Sequence, residues 1–258
     1  VRGSPLAGRT ILVTRPTERA EPLVRALEAR GARPILAPTI RISPARSADL
    51  TRALRELAGG GFDWIVLTSP ATVGVLADRL SGPHEVRARV AAIGDGTAEA
   101  FRRWAGRRVH LQATRFTTRD LARAFPKGQG RVLCPRADIA PPGLEATLER
   151  KGWEPVRVDA YRTTFPRRLP PEARAALAEG RVDAIAFTSA STVQGFVRAA
   201  PVVRGRPRVA CIGPVTARAA REHGLPVHAV AAPHTTEGLV AALERALARG
   251  RASAPPDP

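Results

Sequence analysis

Cysteine, lysine, asparagine and tyrosine are scarce or missing in this chain of 258 residues, which holds two cysteines, two lysines, one tyrosine and no asparagine. Cys134 and Cys211 are too few for a disulfide framework or a cysteine-rich zinc site, and they point to a reducing compartment, by default the cytoplasm. No window approaches the run of about 18 apolar residues that a spanning helix needs. The stretch Val1 to Gly8 lacks the apolar segment of a secretory signal, so neither membrane insertion nor export is expected. His84, His110, His223, His228 and His234 show no H-E-x-x-H or H-x-x-x-H spacing and no nearby cysteine pair, so no metal is expected. Aromatic residues make up 4% of the chain, which leaves few stacking platforms for single-stranded nucleic acid.

What is abundant is arginine. The formal net charge is +18, and all but Lys127 and Lys151 of the 41 basic residues are arginine. Lysine and asparagine have A-rich codons, so a GC-rich genome produces this composition without selection for a ligand. The field still attracts anions of any kind, from nucleic acid to a small polyanion. Because the arginines are scattered over nearly every expected helix, nucleic acid is not the expected partner. The length suits one large domain or two of about 125 residues, with roughly 70% of the surface buried on folding.

Laid against itself, the chain repeats. Phe62-Asp-Trp-Ile-Val-Leu-Thr-Ser-Pro-Ala-Thr-Val73 returns as Val182-Asp-Ala-Ile-Ala-Phe-Thr-Ser-Ala-Ser-Thr-Val193, and Ala92-Ile-Gly-Asp-Gly-Thr-Ala98 returns as Cys211-Ile-Gly-Pro-Val-Thr-Ala217. Thr117-Thr-Arg-Asp-Leu121 matches Thr235-Thr-Glu-Gly-Leu239, and Arg15, Gly31 and Pro34 match Arg136, Gly152 and Pro155. Four blocks in one order, at an offset of about 120 residues, mark a duplicated unit.

Within each unit, short β-branched runs alternate with stretches of helical period: Ile11–Thr14, Ile65–Thr68, Val90–Ile93, Val132–Cys134, Ile185–Thr188 and Val209–Ile212 read as strands. Unbroken apolar strands between helices imply an α/β fold of doubly wound parallel sheets. Helices are expected over Arg19–Ala29 and Leu144–Lys151, ending at Gly31 and Gly152. Pro34 to Pro44 and Pro155 to Pro166 read as two long strands crossing between lobes, and 251–258, ending Ser253-Ala-Pro-Pro-Asp-Pro258, as a disordered tail.

Ligands of such sheets bind beyond the carboxyl ends of the strands. There the turns at Ser69, Thr97, Ser189 and Thr216 offer backbone N–H groups at helix N-termini, which favour carboxylate or phosphate. Capping of the following helix explains the same hydroxyls. Gly94-Asp-Gly96 lacks the third glycine of a dinucleotide site, and no P-loop is present. The cysteines fall in strands, where they serve as small apolar filler. The run Arg102-Arg-Trp-Ala-Gly-Arg107-Arg108 reads as a solvated helix end. Tyr161 lies on the second crossing segment, where it either packs in a core or donates a hydrogen bond into a site.

These residues together resemble the uroporphyrinogen-III synthase family across almost the whole chain. The landmarks are Val13-Thr-Arg-Pro16, Leu67-Thr-Ser69, Ile93-Gly94 with Thr97-Ala98, Leu133-Cys-Pro-Arg136, Asp159-Ala-Tyr161-Arg-Thr163, Phe187-Thr-Ser189, Ile212-Gly-Pro-Val-Thr-Ala217 and Thr236-Glu-Gly-Leu-Val240. Pro70-Ala71-Thr72 stands where relatives often carry asparagine after the first Thr-Ser turn. The resemblance implies an enzyme without cofactor that cyclises hydroxymethylbilane, a linear tetrapyrrole with eight carboxylates, to uroporphyrinogen III with loss of water and inversion of ring D. It implies that Tyr161 assists departure of the hydroxyl and that Arg15, Ser69, Thr97, Arg136, Ser189 and Thr216 bind substrate in a cleft between lobes. The repeat alone allows one lobe per copy; the resemblance favours an exchanged arrangement, 1–41 with 164–250 and 42–163 by itself, in a monomer. A non-catalytic two-lobed α/β module that binds an anionic small molecule is the alternative.

Overall fold

The computed structural model describes residues 4–114, 117–199 and 201–251. In chain order the elements are β1 (Thr10–Val13), α1 (Glu21–Glu28), β2 (Arg33–Leu36), β3 (Arg41–Pro44), α2 (Ala48–Ala58), β4 (Trp64–Leu67), α3 (Pro70–Arg79), β5 (Arg89–Ala92), α4 (Asp95–Ala105) and β6 (Leu111–Gln112). There follow α5 (Thr118–Ala124), β7 (Arg131–Ala137), α6 (Leu144–Glu149), β8 (Glu154–Thr164), α7 (Pro171–Ala178), β9 (Ala184–Phe187), α8 (Ala190–Arg198), β10 (Arg208–Cys211), α9 (Pro214–Glu222), β11 (Ala229–Val230) and α10 (Thr236–Arg251). The chain divides into two compact units, one joining the segment up to Arg41 with the segment from Thr164 onward, the other spanning Ile42–Thr163.

The first unit holds a five-stranded sheet in the order β11-β10-β9-β1-β2, and the second a six-stranded sheet in the order β3-β8-β7-β4-β5-β6. Leu12 pairs with Ile185 in the first sheet and Ile65 with Leu133 in the second, both in parallel register. Each sheet therefore sets the opening strand of one repeat beside a later strand of the other. β4 and β9 are buried at all four positions, because helices cover both faces of a parallel sheet. Helix α2 shows how: Leu50, Leu54 and Leu57 recur at helical spacing on its buried face, and the Ser47 hydroxyl caps it by accepting the Leu50 N–H at 3.1 Å.

Three expectations need correction. The segment from Pro34 to Pro44 is not one strand: β2 and β3 belong to different sheets, and the chain between them is held by Thr39. Its N–H donates to the Thr14 carbonyl at 3.2 Å and its hydroxyl to the Thr192 carbonyl at 2.8 Å, so this stretch is tied to β1 and α8 instead of pairing as a strand. Helix Arg19–Ala29 starts later, at Glu21, after a 3-10 turn over Thr17–Arg19. Its copy stops at Glu149, short of Lys151, with Gly152 at φ +94° reversing the chain. Residue 251 closes α10, and the rest of the expected tail, 252–258, lies outside the described residues.

The helix carrying Ser189 packs close to this tie. A Cβ added at Gly195 would stand 2.0 Å from the Thr39 carbonyl oxygen, which is backbone and cannot swing aside. Gly195→Ala should therefore destabilise the protein by about 1–3 kcal/mol, the usual cost of overpacking, measured by denaturant unfolding. An unchanged midpoint would show that α8 shifts freely.

The repeat extends to two histidines that fasten the short edge strands. His110 Nδ1 accepts the Val90 N–H and His228 Nδ1 accepts the Val209 N–H, each at 3.0 Å. Their own backbone N–H groups return to the carbonyls of Val90 and Val209. Burial, then Arg107 and Arg89, pushes the His110 pKa down. Burial, then Arg208, does the same at His228, opposed by the Pro226 carbonyl, which accepts a hydrogen bond from the ring. Each ring is thus held neutral in the native state, and the unfolded chain takes up the proton first as pH falls. Stability should be complete above about pH 6.5 and decline below it. Unfolding followed between about pH 7.5 and 5.5 should show a weaker decline in the His110→Gln, His228→Gln double variant; an identical decline would remove the histidines as its source.

Candidate functional site

In the first unit, adjacent strands β1, β9 and β10 end in turns that carry Arg15, Ser189 and Thr216. Thr14, wholly buried, donates its hydroxyl to the Ala186 carbonyl at 2.7 Å and so ties the ends of β1 and β9 where the strand order reverses. Arg15 follows, its Nη1 3.4 Å from the Thr236 hydroxyl at the start of α10. Burial and then the Arg19 charge push its pKa down, opposed by Glu237; a guanidinium still stays protonated. Ser189 caps α8 in a reciprocal box, its hydroxyl accepting the Thr192 N–H at 3.1 Å while the Thr192 hydroxyl accepts the Ser189 N–H at 3.2 Å. Helix α9 starts after Gly213, with Pro214 in its first position.

In the second unit, β7, β4 and β5 end correspondingly at Arg136, Ser69 and Thr97. Ser69 caps α3 and accepts the Ala71 N–H at 3.1 Å. The structure separates these turns chemically. The first turns of α3, α8 and α9 carry no acidic residue, so their N-termini keep an unopposed positive end. α4 begins at Asp95, whose carboxylate accepts a hydrogen bond from Gln112 at 2.6 Å and already occupies the field an anion would seek. The Thr97 turn is thus the poorest of the four for a carboxylate. Thr97 and Thr216 are 3% and 4% exposed, so backbone more than hydroxyl is what their turns offer.

Arg136 is the most buried of the six expected substrate-binding residues. It is 2% exposed, and its Nη1 donates to both Glu145 carboxylate oxygens, at 3.0 and 3.1 Å, and to the Pro141 carbonyl at 3.1 Å. Its Nε has no hydrogen-bond partner among the described residues. All of these bonds fall on Nη1, and they hold the buried guanidinium against its own unit. Tyr161, 7% exposed, sits in the apolar cluster that includes Leu67, Val158 and Ala160.

Both cysteines are fully buried. Burial, then the Glu145 charge, raises the Cys134 pKa far above its ordinary value, and burial pushes Cys211 up to about 12. Both stay neutral thiols, which are poor nucleophiles. Arg102 and Arg103 are exposed on the last turn of α4 and pair with Glu99. Among the described residues no three His, Cys, Asp or Glu side chains gather as a metal site. Sequence reasoning does not single out the buried threonines Thr14, Thr39, Thr72 and Thr192 as site residues, although Thr14 lies within Val13-Thr-Arg-Pro16. A signal for two of them is nonetheless present: Thr72 and Thr192 occupy one position of the repeat, and the Thr72 hydroxyl donates to the Pro135 carbonyl at 3.4 Å.

The family model for uroporphyrinogen-III synthase HemD matches residues 21–241. Uroporphyrinogen-III synthase of Synechococcus elongatus is 31% identical over 260 residues, covering 93% of this chain and 96% of the relative. A putative uroporphyrinogen-III synthase of Methanothermobacter thermautotrophicus is 32% identical, covering 90% and 96%. A mutant uroporphyrinogen III synthase from the extremely thermophilic bacterium Thermus thermophilus superimposes with a TM-score of 0.68 at 24% identity, over 94% of this chain and all of that one, and shares the fold. Matched in sequence along most of its length, the chain belongs to the uroporphyrinogen-III synthase family, lyases of tetrapyrrole synthesis.

Proposed function

We propose that this protein converts hydroxymethylbilane into uroporphyrinogen III, with loss of water and inversion of ring D, as a cytoplasmic monomer that needs no cofactor, metal or nucleic acid. The observation that carries the chemistry is the set of helix N-termini without acidic residues, at α3, α8 and α9, together with Arg15. A substrate with eight carboxylates needs fixed positive ends, and backbone N–H groups at helix starts supply them. Departure of the hydroxyl as water leaves an azafulvene that would close unaided to the type I isomer. The enzyme's task is therefore to hold the chain in the conformation that favours inversion, which is a matter of orientation more than of acid strength. Tyr161 is the group we assign to the leaving hydroxyl.

The test is to supply hydroxymethylbilane and identify the product isomer. Uroporphyrinogen III is expected. Tight binding without turnover would favour a non-catalytic anion-binding module. Because backbone donors survive mutation, Ser189→Ala should cost about 1 kcal/mol of stability through the lost cap while product binding persists. Product binding abolished in a folded Ser189→Ala variant would transfer recognition from backbone to side chain.

A further inference from the structure

We propose that Asp138 is a positioning residue for Tyr161, fixing the bulged stretch of β8 that carries the phenol; the inference rests on the role just assigned to Tyr161. β7 and β8 run in step from Arg131 paired with Glu154 to Arg136 paired with Asp159, but the next residue, Ala137, pairs with Tyr161. Ala160 is the extra residue of a β-bulge. Its effect is visible in burial: Val158 and Ala160 are buried, then Tyr161 and Thr163, while Asp159 and Arg162 are exposed. A strand without the bulge would keep strict alternation and turn Tyr161 to the exposed face with Asp159.

Asp138 supplies the bonds that hold this shift. Its N–H donates to the Tyr161 carbonyl at 3.1 Å, and its Oδ1 accepts the Thr163 N–H at 2.9 Å. The same Oδ1 accepts the Ile139 N–H at 2.9 Å, which sets the carboxylate's orientation. The loop beyond is anchored from both strands: Arg157 donates to the Ala140 carbonyl at 3.0 Å and Arg136 to the Pro141 carbonyl at 3.1 Å. One side chain thus satisfies the N–H two residues beyond Tyr161, at a position only 7% exposed, where an unpaired N–H has little access to water.

The experiment is a kinetic cycle on hydroxymethylbilane with Asp138→Ala, Asp138→Asn, Tyr161→Phe and the Asp138→Ala, Tyr161→Phe double variant. Asp138→Ala should lower kcat by roughly 10- to 100-fold, with KM changed by less than about 3-fold, because a small displacement of a reacting group costs rate more than binding. Asparagine keeps an Oδ1 acceptor and should restore kcat to within about 3-fold of the parent. In the Tyr161→Phe background the Asp138→Ala effect should shrink below about 3-fold, since residues acting as a unit are not additive. An equal loss in both backgrounds, or an asparagine variant as impaired as alanine, would overturn the positioning role while leaving Tyr161 in place. Parent turnover in Tyr161→Phe itself would instead remove the reading on which the role rests, and Asp138 with it. Should Asp138→Ala not fold, Asp138→Glu, which displaces the carboxylate by one methylene, carries the same cycle. Hydrogen exchange of the Thr163 amide then reads the bond directly: protection equal to the parent's in that variant, with kcat unchanged, would also overturn the proposal.

Discussion

Replacing Arg136 by alanine should destabilise the protein by about 3–5 kcal/mol, the cost of breaking a buried ion pair from one side. The Arg136 side chain is 3% exposed and Glu145 15%, so the carboxylate left behind keeps little water to replace its lost cation. The Pro141 carbonyl loses its donor as well. The pair does not stabilise by its charge alone: taking both ions out of water offsets most of their attraction, and the orphaned Nε adds to that cost. Arg136→Met together with Glu145→Leu should therefore recover most of the stability lost in the single variant. Urea unfolding of the three proteins provides the measurement. A loss below about 1 kcal/mol in Arg136→Ala, with hydroxymethylbilane binding sharply weakened, would return Arg136 to substrate recognition.

The same residue shows where the sequence stops being informative. Arg136 matches Arg15 in the repeat, and position alone suggests a shared duty at the strand end. The structure gives the two different partners, an acidic side chain nine residues away for Arg136 and a hydroxyl from α10 for Arg15. The repeat does not encode such partners: at the spacing that relates Gly31 to Gly152, the residue matching Glu145 is the uncharged Val24. The strands themselves are legible, although the expected runs at β1, β4, β5, β9 and β10 each sit one residue late. Ile65–Thr68 is β4 at Trp64–Leu67, and Ile185–Thr188 is β9 at Ala184–Phe187. Threonine is β-branched and so reads as a strand residue, whereas Thr68 and Thr188 stand just past the last ladder position and lead into the caps. Strand exchange between repeats is not legible from the repeat, since either pairing satisfies the same apolar runs. The bulge does leave a trace: apolar positions fall at 156, 158 and 160, then at 161, a change of phase within one strand.

That phase change bears on the largest expected effect, in Tyr161→Phe, which should lower turnover by something within or below about 10²–10⁴-fold while the fold is kept. The substitution removes one oxygen and no packing, so stability should change by no more than about 0.5–1.5 kcal/mol. In the proposed step the hydroxymethyl C–O bond breaks with its electron pair on oxygen, the oxygen takes a proton and leaves as water, and the pyrrole N–H of the same ring gives up its proton to form the azafulvene. A phenol that donates a hydrogen bond to the departing oxygen stabilises the charge developing there, and it is worth most where water is excluded, as at a residue 7% exposed. Residual activity is expected, because the hydroxyl leaves readily and orientation of the bilane still directs closure. The product from Tyr161→Phe should remain uroporphyrinogen III, for the hydroxyl takes part in departure and not in the folding of the chain. A rise in the type I isomer at unchanged rate would mean that Tyr161 shapes the substrate instead. Turnover equal to the parent's, with product release shown not to limit it, would leave Tyr161 as a packing residue of the cluster around Val158 and Ala160.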